Sequence, residues 1–257
     1  MSNFRLHSSP FSKLNADKCA KCNLICFPYA GGNIGFFRKW WQGLNTNVSI
    51  IGFDVGKILE KDVRLDVKQI CKISKPYLEP YLEKPCIFFG HSLGAILAFE
   101  LVRQVSETNS DAVAHLIVSG NLPPTIKISR FLHQLQDHEF LEALRQFEGT
   151  PDEVLADPSM MQLFLPQLRR DFQLHETYHY NSGKILTCPI SVFCGLSDHY
   201  VDMHKVALWR DETEGMCRIN YFEGGHFFIQ SERDIVLASL SIILDKIIGV
   251  VSNIDGK

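Results

Sequence analysis

Short apolar runs recur along this chain, and most of them are followed by a stretch with helical periodicity. Several of the runs are nearly continuous rather than alternating, which favours parallel strands that helices cover on both faces. Six runs have the length of a buried strand: Leu24–Phe27, Ile50–Val55, Cys86–Phe89, His115–Ser119, Ile190–Cys194 and Arg218–Phe222. The pattern therefore predicts an α/β fold with a mostly parallel central sheet flanked by helices.

Two of the predicted helices carry a clear apolar stripe. One follows the run 86–89, and the other lies near the end of the sequence. In both helices the apolar residues recur at spacings of three and four, which is typical of a helix that packs one face on a sheet. The stripes consist of Ala95, Ala98, Phe99, Leu101, Val102 and Val105, and of Val236, Leu237, Leu240, Ile243, Leu244 and Ile247.

The alternation of strands and helices stops between residues 121 and 186, a segment without a convincing strand. Helical patterns begin there at Asp137 and at Asp157-Pro158. We therefore expect residues 22–120 and 187–257 to form the α/β core, and residues 121–186 to form a helical lid inserted into it. Residues 1–21 contain few apolar positions and are expected to form a loose N-terminal arm.

Composition narrows the function classes. The chain has 257 residues, of which 46% are hydrophobic and 21% charged, and this suits one globular core. A formal net charge of −3 gives no reason to expect a nucleic acid partner. No apolar run approaches the length of a membrane span, and no secretory signal is visible at the N-terminus. We expect a cytoplasmic protein without a membrane partner.

Eight cysteines raise the alternatives of disulfides or a metal site. The segment Cys19-Ala20-Lys21-Cys22 is a lone C-x-x-C, whereas structural zinc sites usually need a second pair of ligands at a suitable spacing. The cysteines are scattered over predicted strand edges and helix faces. They are interpreted as small buried hydrophobic residues in a reducing compartment, and no metal is predicted.

A serine stands between the run 86–89 and the helix that follows, in the segment Gly90-His91-Ser92-Leu93-Gly94. Glycine on both sides lets a strand turn sharply into a helix and exposes the serine hydroxyl. The amides of Ser92 and Leu93 would then lie at a helix N-terminus, which favours negative charge. Acyl transfer develops such a charge in its tetrahedral intermediate. The segment predicts a nucleophile, with an ordinary structural turn as the alternative.

An acid and a histidine should follow the serine in that order. Asp198 and His226 each lie just past a predicted strand, where α/β folds place their chemistry. Asp202 is a rival for the acid, and a solvated loop histidine is the plain alternative for His226. In the predicted triad Ser92 attacks a carbonyl carbon, His226 transfers the proton, and Asp198 orients the imidazole.

A second glycine-rich loop follows the first predicted strand, in Pro28-Tyr29-Ala30-Gly31-Gly32. Glycines let backbone amides approach a bound oxygen closely. If the N–H of Leu93 is one oxyanion donor, the second should come from this early loop, and Ala30 is the first choice. A plain glycine turn is the alternative.

These motifs together resemble those of the type II thioesterases, the free-standing editing enzymes of polyketide and nonribosomal peptide synthesis. The resemblance covers about residues 22–245 and includes a segment between nucleophile and acid. It rests on Phe27-Pro28-Tyr29-Ala30-Gly31-Gly32, Gly90-His91-Ser92-Leu93-Gly94, Gly195-x-x-Asp198, Gly224-Gly225-His226-Phe227-Phe228, Leu165-Pro166-Gln167-Leu168-Arg169-Arg170-Asp171-Phe172, Glu176-Thr177-Tyr178 and Trp209-Arg210. Tyr29 is a departure, because many relatives have histidine there.

The resemblance implies an α/β-hydrolase fold and hydrolysis of acyl groups from the phosphopantetheine arm of an acyl or peptidyl carrier protein. It assigns Ser92, Asp198 and His226 to the triad and Ala30 and Leu93 to the oxyanion hole, with no cofactor. We expect a monomer. The candidate acyl-binding residues are Tyr29, Phe140, Leu144, Met160, Met161 and Phe164.

Carrier proteins of this kind are usually acidic, so basic residues near the lid are candidates for the docking surface: Lys127, Arg130, Arg145, Arg169 and Arg170. Two other functions stay open from the sequence. One is a carboxylesterase of the same fold that acts on small free esters. The other is a non-catalytic binding protein on a hydrolase scaffold.

Overall fold

A seven-stranded sheet forms the centre of the molecule in the computed structural model, which describes residues 8–17, 19–44, 47–59, 65–129, 131–147, 149 and 152–255. The strand order is β1-β3-β2-β4-β5-β6-β7, and β2 to β7 are mutually parallel. This confirms the mostly parallel sheet. The strands are β1 (Phe11–Lys13), β2 (Cys22–Phe27), β3 (Val48–Phe53), β4 (Cys86–His91), β5 (Val113–Ser119), β6 (Ile190–Gly195) and β7 (Cys217–Phe222).

Helices cover both faces of the sheet, and this explains the continuous apolar runs. Within β4, Cys86 and Phe88 belong to one buried cluster, whereas Ile87 and Phe89 belong to a cluster on the opposite face. Successive side chains of a strand point to opposite faces, so a strand that is covered twice needs apolar residues throughout. The first cluster packs under α1 (Val67–Leu78) and α2 (Leu93–Ser106), and the second packs under α7 (Arg233–Asp255) and the 3₁₀ segment Ile34–Gly43.

The parallel arrangement brings the candidate chemistry to one edge of the sheet. Five neighbouring strands, β2, β4, β5, β6 and β7, end at the same edge because they run in the same direction. The loops after β2, β4, β6 and β7 contain Ala30, Ser92, Asp198 and His226, respectively. Residues that are far apart in the sequence therefore meet at this edge.

The N-terminal segment differs from the expected loose arm over the residues that the structure describes. Phe11–Lys13 forms β1, which pairs antiparallel with β3, and the Phe11 side chain is buried against Phe53 and Tyr81. Asn15 extends this edge through hydrogen bonds of 2.8 Å to the backbone of Val48 and Ile50. The expectation was wrong here because a three-residue strand, held by backbone pairing and one aromatic side chain, leaves little apolar pattern.

Helices occupy the segment between β5 and β6, where the sequence predicts an insertion. They are α3 (Asp137–Phe147), α4 (Asp152–Leu155) and α5 (Pro158–Glu176), and they follow a 3₁₀ turn at Leu132–Gln134. Asp157 caps α5, since its carboxylate accepts hydrogen bonds from the amides of Ser159 and Met160. A small buried core of their own joins these helices; it includes Leu132, Phe140, Ala143, Leu144, Leu155, Met161 and Leu168.

The cysteines have no disulfide partners, and burial makes most of them poor nucleophiles. Burial raises the pKa of Cys22, Cys86, Cys188 and Cys194 to about 12. Of the C-x-x-C pair, Cys19 is exposed while Cys22 is buried in β2. The described part of the chain holds no group of three metal-ligating side chains, and it contains no helix that could cross a membrane.

Replacing Phe11 tests whether β1 stabilises the sheet. We expect Phe11→Ala to lower the free energy of unfolding by about 3 kcal/mol, because it leaves a cavity beside Phe53 and Tyr81. Denaturant unfolding measures the change. The matched control is Lys13→Ala in the same strand, whose exposed side chain should contribute less than about 0.5 kcal/mol. Equal small losses from both variants would contradict the docking of β1.

Candidate active site

Ser92 lies at the sharp turn between β4 and α2. Its backbone has φ 55° and ψ −120°, and it is the one non-glycine residue with positive φ in the described part of the chain. A Cβ atom on Gly90 would overlap the carbonyl group of Gly94, and a Cβ atom on Gly94 would overlap the carbonyl oxygen of Phe27. Glycine is therefore required on both sides of Ser92. A strained backbone costs about 1–3 kcal/mol and persists only where its surroundings hold it.

Three hydrogen bonds hold the Ser92 backbone in this conformation. Its N–H donates to the carbonyl oxygen of Ser119 at 2.8 Å, which continues the pairing of β4 with β5. Its carbonyl oxygen accepts from the Ala95 amide at 2.9 Å and from Asn121 Nδ2 at 2.8 Å. The residue after the serine, Leu93, begins α2, so its amide lies at a helix N-terminus beside the serine.

A buried acid–imidazole pair lies at the neighbouring strand ends. His226 Nδ1 is 2.8 Å from Asp198 Oδ2, and both side chains are almost fully buried. The other carboxylate oxygen accepts a hydrogen bond of 2.9 Å from the amide of Tyr200. Because an ionised carboxylate only accepts, His226 holds its proton on Nδ1, and Nε2 keeps a lone pair. That tautomer is the one a general base needs.

Asp202, the rival acid, is engaged within its own loop. Its carboxylate accepts a hydrogen bond of 3.0 Å from the His204 amide and pairs with Lys205 Nζ at 3.0 Å. These two contacts lower the pKa of Asp202. The geometry therefore favours Asp198 over Asp202 as the partner of His226.

The loops after β6 and β7 are bound directly to each other, which fixes the acid relative to the imidazole. The Ser197 amide donates to the Gly224 carbonyl oxygen at 2.9 Å. A Cβ atom on Gly195 would overlap the Gly225 carbonyl oxygen, so only glycine allows the two loops to approach this closely. Gly224 has φ +93°, a conformation that L side chains rarely adopt.

The loop after β2 forms a tight turn at Tyr29–Gly32. The Gly32 amide donates to the Tyr29 carbonyl oxygen at 2.8 Å, and Gly31 has φ +75°, which are the features of a type II turn. The Gly31 amide donates in turn to Asp171 Oδ2 of α5 at 2.9 Å. Ala30, at the turn, lines the same cavity as Ser92 and Leu93. Ala30 therefore stays the candidate for the second oxyanion donor.

Two cavities meet at these residues. Ala30, Ser92 and His226 line both of them. The larger has a volume of about 610 Å³ and extends along the loop 120–129 towards His175 and Tyr178. The smaller has a volume of about 210 Å³ and lies beneath the helices of the insertion. Ser92 and His226 therefore line the same space, in which a substrate can reach both side chains.

Comparison with known proteins identifies the family. The family model described as Thioesterase domain matches residues 22–244. The gramicidin S biosynthesis protein GrsT of Aneurinibacillus migulanus is 31% identical over 87% of this chain and 89% of its own length. This chain belongs to the thioesterase family. The family and this relative indicate a thioester hydrolase. This argues against the two alternatives, a carboxylesterase and a non-catalytic binding protein.

Solved structures of thioesterases share the fold. The type II thioesterase BorB from the borrelidin biosynthetic cluster has a TM-score of 0.81 and 29% identity, over 91% of this chain and 97% of its own. ClbQ from the colibactin NRPS/PKS pathway has a TM-score of 0.82 and 28% identity, over 90% of this chain and 100% of its own. The α/β-hydrolase fold that the sequence resemblance implies is thereby confirmed.

Four of the six candidate acyl-binding residues line the smaller cavity of this thioesterase. These are Tyr29, Leu144, Met161 and Phe164. Phe140 and Met160 do not line this cavity, so their prediction as acyl-binding residues is corrected here. Phe140 is completely buried between α3 and α5, against the Phe172 ring and the Arg169 guanidinium group. Met160 lies on the outer side of α5, where 37% of it is exposed. Met160 and Met161 are neighbours in the sequence but lie on different sides of α5. Which side faces the cavity depends on how α5 docks.

Several residues at the site were not found from the sequence. Asn121 follows β5 as Asp198 follows β6, so its position after a strand was an available signal. His175 lies four residues after Asp171 on α5, and its ring meets Asn121 at 2.8 Å. Phe147 stacks on Tyr200 with ring centroids 3.5 Å apart, and its ring also contacts His226. No local sequence signal identified His175 or Phe147.

His91 is a second buried histidine beside the candidate triad. Its Nδ1 atom is 2.9 Å from Ser119 Oγ, and its ring centroid is 5.0 Å from that of His226. Burial lowers the pKa of His91 well below the ordinary histidine value, and a charge on His226 would lower it further. His91 therefore stays neutral and adds no positive charge beside the candidate base.

Replacing the two aspartates separately tests which acid serves His226. Asp198→Asn should reduce kcat for thioester hydrolysis on the order of 10³- to 10⁴-fold, because an amide does not fix the Nδ1–H tautomer or stabilise the imidazolium. Asp202→Asn should change kcat less than about 2-fold, since its partners lie in its own loop. Steady-state kinetics of the two variants provide the comparison. The reverse order of effects would exclude Asp198 as the acid.

Proposed function

We propose that this thioesterase removes acyl groups from the phosphopantetheine arm of acyl or peptidyl carrier proteins through an acyl-Ser92 intermediate. The observation that supports this most strongly is the buried His226–Asp198 pair, because the imidazole lines the same two cavities as the strained Ser92. A serine held in this way has a base within its cavity and a helix N-terminus beside it. Ser92, Asp198 and His226 are the proposed catalytic triad.

In the first half of the proposed reaction, Ser92 Oγ attacks the thioester carbonyl carbon while His226 Nε2 accepts the hydroxyl proton. The carbonyl oxygen becomes an oxyanion, and the amides of Leu93 and Ala30 donate hydrogen bonds to it. Asp198 stabilises the imidazolium. The carbon–sulfur bond then breaks, and His226 protonates the leaving thiolate, so that the pantetheine arm departs as a thiol.

In the second half, a water molecule attacks the acyl-Ser92 ester. His226 Nε2 takes one proton from the water, and the same two amides stabilise the second oxyanion. When the ester bond breaks, the proton returns to Ser92 Oγ. The acyl group leaves as a free carboxylic acid, and the overall reaction consumes one water molecule.

Each of the two cavities is assigned a different part of the proposed substrate. The smaller is lined mostly by apolar side chains, many of them from the insertion, and suits the acyl chain. The larger is lined in part by hydroxyl side chains, those of Thr125, Ser129 and Ser182, and these suit the amide-containing pantetheine arm. We propose that residues 121–186 act as a lid, because their helices cover the space beside Ser92 and so limit access of water to the ester.

The proposed partner is an acidic carrier protein. Of the candidate basic residues, Lys127 is exposed and lines the larger cavity, so it is best placed for an incoming acidic surface. Arg169 is engaged within the insertion by the carbonyl oxygens of His133 and Leu135, and Arg145 pairs with Glu142. Arg130 lies outside the described residues. A monomeric, cytoplasmic enzyme remains part of this proposal.

Intact-mass measurement of acyl-loaded carrier proteins tests the function. The wild-type protein should remove the acyl group and leave the phosphopantetheine arm on the carrier, whereas Ser92→Ala should reduce the rate by more than about 10³-fold because no nucleophile remains. A simple aryl ester is tested in parallel. A strong preference for the ester would favour a carboxylesterase instead, and retained turnover by Ser92→Ala would exclude the proposed nucleophile.

The two neighbouring methionines of α5 test the assignment of the smaller cavity. Met161→Ala should enlarge that cavity and raise kcat/KM for longer acyl chains, relative to shorter ones, on the order of 10-fold. Met160→Ala is the matched control, because Met160 lies outside the cavity, and it should leave the chain-length profile unchanged. The profile is measured with a series of acyl-loaded carriers. An identical profile for all three proteins would contradict the assignment.

A further inference from the structure

Two side chains of α5 turn away from the insertion and contact the catalytic loops. Asp171 and His175 are four residues apart, so they lie on the same face of the helix. Asp171 is 1% exposed, and His175 lines the larger cavity. Arg169 and Glu176, by contrast, contact the insertion itself: they hydrogen-bond to residues 132–137, and Arg169 also packs on the Phe140 ring. The face of α5 with Asp171 and His175 therefore contacts the catalytic loops, whereas Arg169 and Glu176 hold the insertion together.

Asp171 fixes the turn that presents Ala30. The central peptide of this turn joins Ala30 to Gly31, and its N–H donates to Asp171 Oδ2 at 2.9 Å. Type I and type II turns differ by rotation of this central peptide, and glycine at the third position makes the rotation accessible. A carboxylate that accepts from the Gly31 N–H holds the peptide in one of the two orientations. Rotation would turn the Ala30 carbonyl oxygen towards the carboxylate and change the backbone conformation of Ala30, whose own amide is the proposed oxyanion donor.

His175 acts on the nucleophile through Asn121. The Ser92 carbonyl oxygen can only accept, so the group of Asn121 that faces it at 2.8 Å is the NH₂ group. The same nitrogen is 2.8 Å from His175 Nε2, which must then accept the second amide hydrogen. Burial lowers the pKa of His175 to about 4, so its ring is neutral and can accept at ordinary pH. The Trp209 indole fixes the backbone of Asn121 by donating to its carbonyl oxygen at 3.0 Å.

We propose that α5 sets the geometry of both halves of the active site, with Asp171 positioning the oxyanion loop and the His175–Asn121 pair positioning the strained carbonyl group of Ser92. This proposal rests on the proposed function only in assigning Ser92, Ala30 and Leu93 to catalysis. Asp171, His175 and Asn121 are positioning residues, which act through the groups that they hold. A helix of the insertion thereby contributes to turnover as well as covering the substrate.

The first experiment compares two substitutions of Asp171. Asp171→Leu removes the acceptor while keeping similar volume, and it should lower kcat on the order of 10- to 100-fold with KM changed less than about 3-fold. Asp171→Asn keeps an oxygen that can accept from Gly31, and it should restore most of kcat. Thermal unfolding of each variant separates this effect from loss of fold. Glu142→Leu, an exposed acid on α3, is the control and should leave kcat unchanged.

The second experiment removes the contact with the nucleophile. Asn121→Leu should lower kcat on the order of 10-fold with little change in KM, because Ser92 loses one of the two donors to its carbonyl oxygen. The rate of labelling by a serine-directed fluorophosphonate is measured for every variant. We expect it to fall in parallel with kcat in Asp171→Leu and Asn121→Leu, because the tetrahedral phosphonate adduct uses the same oxyanion site.

The outcomes separate the two proposals. If folded Asp171→Leu and Asn121→Leu keep wild-type kcat and labelling rates, or if Asp171→Asn is as slow as Asp171→Leu, positioning by α5 is wrong while the proposed function stands. If the wild-type protein labels at Ser92 but leaves acyl carriers intact, the proposed substrate is wrong, and the labelling rates still decide the positioning. A wild-type protein that shows neither reaction would overturn both.

Discussion

The hydrogen bond between His226 Nδ1 and Asp198 is the interaction on which the proposed chemistry of this molecule depends. It joins the loops after two neighbouring parallel strands, and it is short, buried and supported by the Tyr200 amide. Glycines let those loops touch, so the carboxylate reaches the imidazole without rearrangement. Without this bond the ring would have no fixed tautomer, and the serine in the same cavity would have no reliable base.

The second constraint is the strained backbone of Ser92, which the surrounding structure must hold. Strand pairing fixes its N–H, the first turn of α2 and Asn121 fix its carbonyl oxygen, and the flanking glycines make room for the turn. The strained conformation costs free energy, and it persists because these several contacts hold it. Their concentration at one residue favours the proposed nucleophile over an ordinary strand-to-helix turn.

Much of the fold and the centre of the candidate site could be predicted from the sequence, because local patterns encode them. Five strands, β2 to β6, are largely buried on both faces and therefore stand out as apolar runs, and Ser92 and Asp198 each follow such a run. His226 follows β7, the more exposed strand at the edge of the sheet. β1 escaped prediction because backbone pairing with β3 defines it more than composition does. Phe140 was misplaced because its burial against Arg169 and Phe172 depends on how α3 docks on α5. The links of Asp171 to Gly31 and of His175 to Asn121 are long-range contacts between polar residues, which one sequence does not reveal.

Ser92 is proposed to carry the acyl group during turnover. The most direct test of this proposal is a single-turnover reaction with enzyme in excess over an acyl-loaded carrier, quenched with acid at successive times and mapped by peptide mass. We expect the acyl mass to appear on the peptide that contains Ser92 before the free acid is released. Acyl label on another residue, or release of the free acid from an enzyme that is never acylated, would contradict it.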